Sequence, residues 1–189
     1  MRHILTRKEK IRVVEKTGAE AIRLEKRSEA FFILTVPVGA PQDAAEQFLQ
    51  GREIAKTLPD AVLSGPVPSL PRRVLRAYCL ETLKTYANGR LLDMEARAGC
   101  EGTTLTFDCP RGAWGRCHAG TKTVSINPSL CWMPESVVDE CLLHELCHFS
   151  VPDHSPAFWE RLTALMPSWP CQEGILRNRR EGVRYVFPV

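Results

Sequence analysis

The sequence predicts an α+β fold, with a strand-rich N-terminal part followed by a part that mixes helices with short strands. Early in the chain, three segments combine β-branched or aromatic residues with charged ones, at residues 10–15, 21–25 and 30–37. Three further strand patterns lie later, at residues 103–108, 112–118 and 121–127. Helical patterns separate and follow these strands, which indicates the mixed class.

The composition is that of an ordinary globular protein. Of the 189 residues, 44% are hydrophobic and 25% are charged, which suits a chain that buries a core without disulfide cross-links. The net charge of +3 is too small to argue for a nucleic-acid partner. The eight cysteines are scattered and form no CxxC pair, which favours a reducing cytoplasm. Without a signal-peptide pattern or a long apolar run, we expect a cytoplasmic protein with no membrane association.

A proline-rich segment divides the chain. Residues 58–71 contain four prolines and one glycine, a composition typical of a linker or an extended crossing. We therefore expect an N-terminal β lobe with one helix in residues 1–57, a linker in residues 58–70 and the main domain in residues 71–189. Whether the linker is a lid or a spacer stays open, as does the oligomeric state.

Apolar spacing and terminal signals predict four helices, at residues 42–56, 71–87, 134–150 and 155–166. Asn88 and Gly89 supply a stop for the second helix. Pro152 ends the third, because the residue before a proline avoids the helical region. Ser155 and Pro156 provide a cap and a first turn for the fourth.

The third predicted helix carries the motif HELCH at residues 144–148, and His154 follows six residues later. Positions four apart on a helix lie about 40° from each other around the axis and about 6 Å along it. Both imidazoles can therefore reach one ion, and the turn at Pro152 allows His154 to return toward it. Zinc accepts neutral imidazole nitrogens and takes three protein ligands in catalytic sites. The sequence thus predicts one zinc ion per chain, held by His144, His148 and His154.

Glu145 follows the first predicted ligand directly, near the ion but less well placed to bind it. Its carboxylate is suited to accept a proton from a water molecule that zinc activates and to pass it to the leaving group. We therefore predict Glu145 as the catalytic base of a hydrolase. Glu160 and Glu173 are alternatives to His154 as third ligand, since a downstream glutamate serves in some HExxH enzymes.

Several residues near the motif have two interpretations each. Arg116 or His118 could stabilise a developing oxyanion, or could be exposed hairpin residues. Asp153 could hold a ligand imidazole through its second nitrogen, or could simply shape the turn. Cys147 is expected to be a small core residue rather than a ligand or nucleophile.

Two other groups of residues also have two interpretations each. Phe158 and Trp159 are expected in the core rather than as a platform for substrate. The basic residues Arg177, Arg179, Arg180 and Arg184 near the C-terminus are expected to be solvated, with a contact to phosphate as the alternative.

The stretch HELCHFSVPDHSPAFW, preceded by WGRC and SINPSL, resembles the YgjP-like metallopeptidase family, whose pattern reads WGSC, an LN strand and HELxHxxxxNHSxxFW. The match is close over residues 112–169 and looser over residues 34–40. The chain departs from the pattern at Arg116, where the family has serine, and at Asp153, where it has asparagine. These departures leave the substrate preference open.

The resemblance implies a zincin-like fold, in which a small mixed or antiparallel sheet packs on the active-site helix and its edge strand aligns an extended peptide. It also implies metal ligation by His144, His148 and His154, with Glu145 as base. Residues 112–118 are the candidate edge strand. A zinc metallopeptidase acting on a peptide or protein is therefore the leading hypothesis.

Three rival hypotheses remain. The first is a metal-dependent hydrolase of another substrate class, such as a nucleoside triphosphate, because the motif specifies an activated water and not the bond it attacks. The second is a protease acting on DNA-bound proteins, as in the similar SprT-like group, for which the basic residues would contact nucleic acid. The third is a non-enzymatic module with a structural metal.

Overall fold

The computed structural model describes residues 2–5, 10–57, 61–62, 65–66, 72–108 and 113–183. The N-terminal part forms a four-stranded mixed sheet in the order β1-β2-β4-β3. Its strands are β1 (Arg2–Leu5), β2 (Lys10–Lys16), β3 (Arg23–Ser28) and β4 (Phe31–Pro37). The three strands predicted here are confirmed, and β1 is added before them.

Among the described residues, the buried side chains of this sheet lie on its two central strands. β2 and β4 run parallel and bury Ile11 and Leu34. β3 carries the sequence RLEKRS along an exposed edge, where charged side chains hinder pairing with another chain. The sheet therefore has one well-defined buried face, which joins the core of the rest of the protein.

Two short strands, β5 (Ala61–Val62) and β6 (Gly65–Pro66), pair with each other. The last three strands are β7 (Thr104–Thr106), β8 (Gly115–His118) and β9 (Thr123–Ile126). They form a separate sheet beside the helices in the order β7-β9-β8, in which β9 is parallel to β7 and antiparallel to β8. The helices are α1 (Ala44–Thr57), α2 (Arg72–Ala98), α3 (Glu135–Cys147), α4 (Pro156–Leu165) and α5 (Trp169–Val183). Short 3-10 helices occupy Ala119–Thr121 and Pro128–Trp132. The predicted α+β class is confirmed.

Parts of the predicted segments lie outside the described residues. These parts are residues 58–60, 63–64 and 67–70 of the linker and the start of the strand predicted at residues 112–118. The division of the chain into three segments therefore stays a prediction. None of the described helices combines the length and the apolar character needed to cross a membrane.

Helix α2 runs past the stop predicted at Asn88 and Gly89. Both residues lie on its exposed face, and the Asn88 side chain donates to the carbonyl of Lys84 within the helix. The buried stripe continues on the opposite face to Met94 and Ala98, so packing against the core outweighs the local stop signal. The helix ends only at Gly99, whose φ of +64° is the left-handed conformation that closes many helices.

Helix α5 was not predicted, because Pro170 and Gly174 interrupt its pattern. In the structure Pro170 lies in the first turn, where its missing N–H costs nothing. Gly174 lies where α5 crosses α1, and a Cβ there would collide with the backbone carbonyl of Phe48. Gly51 of α1 approaches the carbonyl of Cys171 in the same way. The two glycines thus allow the helix backbones to touch.

This close crossing predicts opposite effects for two glycine-to-alanine substitutions. Gly174→Ala should lower the free energy of unfolding by about 1–3 kcal/mol, because the added methyl group overpacks the crossing. Gly89→Ala, in an exposed helical position with no neighbour within 4 Å, should raise it by about 0.5–1 kcal/mol. Urea unfolding of the two variants measures both effects. Equal stability of the variants would contradict the crossing.

Candidate metal centre

Three histidine side chains converge at the end of α3. His144 lies within the helix, His148 is its C-terminal cap residue, and His154 lies in the loop before α4. One ring nitrogen of each lies within 4.8 Å of the others, and the Nε2 atoms of His144 and His154 are 3.0 Å apart. Two nitrogens bound tetrahedrally to one zinc ion lie about 3.3 Å apart. The His144 and His154 nitrogens are thus close to this spacing, and the third lies near enough for the set to surround one ion.

The convergence depends on where α3 ends. The helix stops at Cys147, earlier than the predicted Ser150, and the N–H groups of Ser150 and Val151 both donate to the carbonyl of Cys147. This tight turn, followed by Pro152, reverses the chain direction. His154 is thereby brought back toward the helix that carries the first two histidines.

The outer ring nitrogens of two of the histidines face acceptors. Nδ1 of His148 lies 3.1 Å from the carbonyl oxygen of Val151, to which its N–H donates. Nδ1 of His144 lies 3.8 Å from Oε1 of Glu140, one turn earlier on α3. A hydrogen bond on Nδ1 leaves Nε2 free to bind a metal, as is common for ligand imidazoles.

Aromatic packing fixes the three rings from behind. The ring of Phe158 contacts all three, with centroid distances of 4.8 Å to His144, 4.5 Å to His148 and 4.9 Å to His154. Trp159 stacks on His154 at 5.5 Å, and its indole N–H donates to the carbonyl of Ala19 in the N-terminal part. Both aromatic residues are buried, as predicted. The sequence did not reveal that they form the wall of the site.

Burial also keeps the three imidazoles neutral. It lowers the pKa of His144 well below its ordinary value and lowers the pKa of His148 and His154 as well. A neutral imidazole offers the nitrogen lone pair that a metal needs. The three rings are thus ready to bind a cation at neutral pH without first losing protons.

Glu145 is buried beside the histidines and under strand β8. Burial raises the pKa of its carboxyl to about 8, while the backbone N–H of Cys117 and the charge of Arg116 oppose that rise. Gly115 lies so close that a Cβ there would approach Oε1 of Glu145 to 2.6 Å. The carboxylate is therefore confined between the strand and the histidine cluster.

A cleft of about 500 Å³ opens onto this group. Strand β8 borders one side, with Trp114, Gly115 and Arg116 in its lining. Glu20 lines it from the N-terminal part, and Arg177 lines it from α5. The three histidines and Glu145 belong to the same lining.

The structure separates the alternatives for the third ligand. Among the described residues, the one group of possible ligand atoms that converges consists of the three histidines. Glu160 is exposed on α4. Glu173 is buried in the wall of the cleft and paired with Arg177, at 2.6 Å between Oε1 and Nε. Neither glutamate belongs to the convergent group.

The other residues near the motif occupy varied positions. Asp153 accepts a hydrogen bond from the N–H of Ser155, which supports its role in the turn, while the Ser155 side chain makes no cap hydrogen bond. Arg116 and His118 are exposed on β8, and an oxyanion role for either stays a prediction. Cys147 is buried, and burial raises its pKa to about 11, as suits a core thiol. The side chains of Arg179 and Arg180, and all of Arg184, lie outside the described residues.

Two of the three converging histidines lie at the end of α3, beside a buried glutamate and near a small mixed sheet, an arrangement consistent with a metallopeptidase-like domain. The family model for the YgjP-like metallopeptidase domain matches residues 54–179, about two-thirds of the chain. The chain therefore belongs to the YgjP-like family, a family of metal-dependent hydrolases. No curated protein matches the chain. The N-terminal sheet precedes the matched region, as do residues 34–40, which carry the looser part of the resemblance.

The cluster predicts a single metal site that depends on all three histidines. Purified protein should bind about one equivalent of zinc. His154→Ala should bind zinc at least ~100-fold more weakly, because losing a residue that only hydrogen-bonds to a ligand already costs about 10–100-fold in metal affinity. Elemental analysis and competition with a chelator measure both quantities. His118→Ala, which removes an exposed histidine outside the cluster, serves as control and should retain zinc. Unchanged affinity in His154→Ala would exclude the three-histidine site.

Proposed function

We propose that the protein is a zinc metallopeptidase in which His144, His148 and His154 hold one zinc ion and Glu145 is the general base. The observation that carries this proposal is the position of the Glu145 carboxylate. The carboxylate is buried beside the three histidines, and the edge strand β8 borders it. When bound, zinc would supply a Lewis acid that lowers the pKa of a coordinated water and polarises the carbonyl to be cleaved.

The environment of Glu145 suits proton transfer in both directions. A pKa of about 8 lies near neutral pH, where a group can both accept and return a proton. A cation among the histidines would lower this pKa, because a nearby positive charge favours the carboxylate. Glu145 then takes a proton from the attacking water and passes it to the leaving nitrogen of the peptide. The Cys117 N–H holds the carboxylate in place throughout.

The edge strand supports a peptide as substrate. In the order β7-β9-β8, β8 pairs with β9 along one side, while the Cys117 N–H on its other side donates to Glu145. None of the described strands pairs with this other side of β8, which faces the cleft. An extended peptide can add to such an edge through main-chain hydrogen bonds. Its carbonyl groups would then lie along β8, close to Glu145.

Replacing the proposed base tests the reaction and the substrate class together. Glu145→Gln keeps the size of the side chain but removes its ability to accept a proton, so peptide cleavage should fall about 10²–10⁴-fold while zinc content is unchanged. Peptide and nucleoside triphosphate hydrolysis should be assayed side by side. Glu160→Gln is the matched control, because it removes the same charge from an exposed position on α4. Triphosphate cleavage that depends on Glu145, without peptide cleavage, would support the rival substrate class.

A second substitution tests the confinement of Glu145 without changing it. Gly115→Ala places a methyl group where it would meet the Cγ of Glu145 at 2.7 Å, so the carboxylate must move. We expect kcat to fall at least ~10-fold with zinc content preserved, since misplacement by about 1 Å can cost 10²-fold in rate. Gly120→Ala, in the adjoining turn with no neighbour within 4 Å, is the control and should keep full activity. Full activity of Gly115→Ala would mean that the position of Glu145 is not critical.

A further inference from the structure

Two buried carboxyl groups, those of Glu140 and Glu173, line the same cleft as His144. Glu140 and Glu173 are only 3% and 5% exposed, and each is outside the proposed ligand set. They are near enough for the charge of Glu173 to raise the pKa of Glu140, in addition to the larger effect of burial. Burying two acidic groups close together costs free energy unless a group of opposite charge is near them.

Arg177 provides the positive charge for this pair. Its Nε lies 2.6 Å from Oε1 of Glu173, one turn earlier on α5, and its charge lowers the pKa of both carboxyl groups. The guanidinium group is therefore engaged by Glu173. Glu140 has His144 as the ion-pair or hydrogen-bond neighbour that the structure gives it.

Glu140 and His144 stand four residues apart on α3, so their side chains share a face of the helix. Oε1 of Glu140 is 3.8 Å from Nδ1 of His144, about 1 Å longer than a hydrogen bond between these atoms. A hydrogen bond between the two groups therefore requires them to move about 1 Å closer together. A carboxylate on Nδ1 of a ligand imidazole fixes the ring orientation and directs Nε2 to the metal.

We propose that Glu140 is the positioning residue for His144, and that Glu173 keeps it available by occupying the guanidinium of Arg177. The proposal rests on the proposed metal centre and extends it to α5. That helix is itself held by the Gly51 and Gly174 crossing with α1. If Glu173 were absent, Arg177 would be free to bind Glu140 and draw it away from the histidine.

The test measures zinc affinity by competition with a chelator, in the full chain. Glu140→Gln should bind zinc about 10–100-fold more weakly than the unaltered protein. Glu173→Gln should weaken binding by a smaller factor, and adding Arg177→Gln to it should restore affinity toward the original value. Glu160→Gln, which removes one exposed carboxylate outside the cleft, should bind zinc unchanged. In the zinc-loaded protein, the low-field proton signal of a carboxylate-bonded histidine Nδ1–H should disappear in Glu140→Gln.

Each outcome tests a different part of the proposal. Zinc affinity within twofold of the original in Glu140→Gln, even with altered thermal stability, would overturn the positioning role and leave the proposed peptidase intact. Failure of Arg177→Gln to rescue Glu173→Gln would overturn the role of Glu173. Weakened zinc binding in Glu140→Gln, in a protein that cleaves no peptide, would support the positioning role and reject the proposed function. A protein that binds no zinc at all would overturn both.

Discussion

The reversal of the chain after Cys147 is the constraint on which the rest of the site depends. Two histidines four residues apart are placed by the geometry of α3 alone, but two imidazoles make an incomplete set for zinc. The third arrives because the helix ends one turn before Val151 and Pro152 prevents it from continuing. The turn after the helix also serves the site, since the carbonyl group of Val151 accepts the N–H of His148.

The aromatic residues of α4 convert this local arrangement into a rigid one. Phe158 contacts all three imidazoles and Trp159 stacks on His154, so the ring planes are set by packing. Trp159 is itself anchored to the N-terminal part through the carbonyl of Ala19, and Gly39 lies against the backbone of Pro156. The N-terminal part precedes the region that matches the family model, yet it braces the first turn of α4 directly. It therefore contributes to the geometry of the site as well as to the core.

Electrostatic costs are concentrated around the same helix. Glu140 and Glu145 are both buried on α3, and burial raises the pKa of each. Each carboxyl group has a nearby partner that offsets part of the cost: the Cys117 N–H for Glu145, and the charge of Arg177 for Glu140. A cation among the histidines would reduce the cost for both. The helix thus places two carboxyl groups where the positive charge of the proposed metal would favour their ionised form.

The sequence by itself determined the histidine spacing, the turn at Pro152, the position of Glu145 beside the first histidine, and the family. The first three features are local, because each depends on residues within one or two turns of a helix, and the family follows from the motif pattern over residues 112–169. Only the tertiary structure decided the rest: the continuation of α2 through Gly89, the formation of α5, the contact of Gly115 with Glu145 and the approach of Glu173 to Glu140. These features depend on elements that come into contact only after the chain has folded. The periodicity of neighbouring residues does not indicate which distant residues will be in contact.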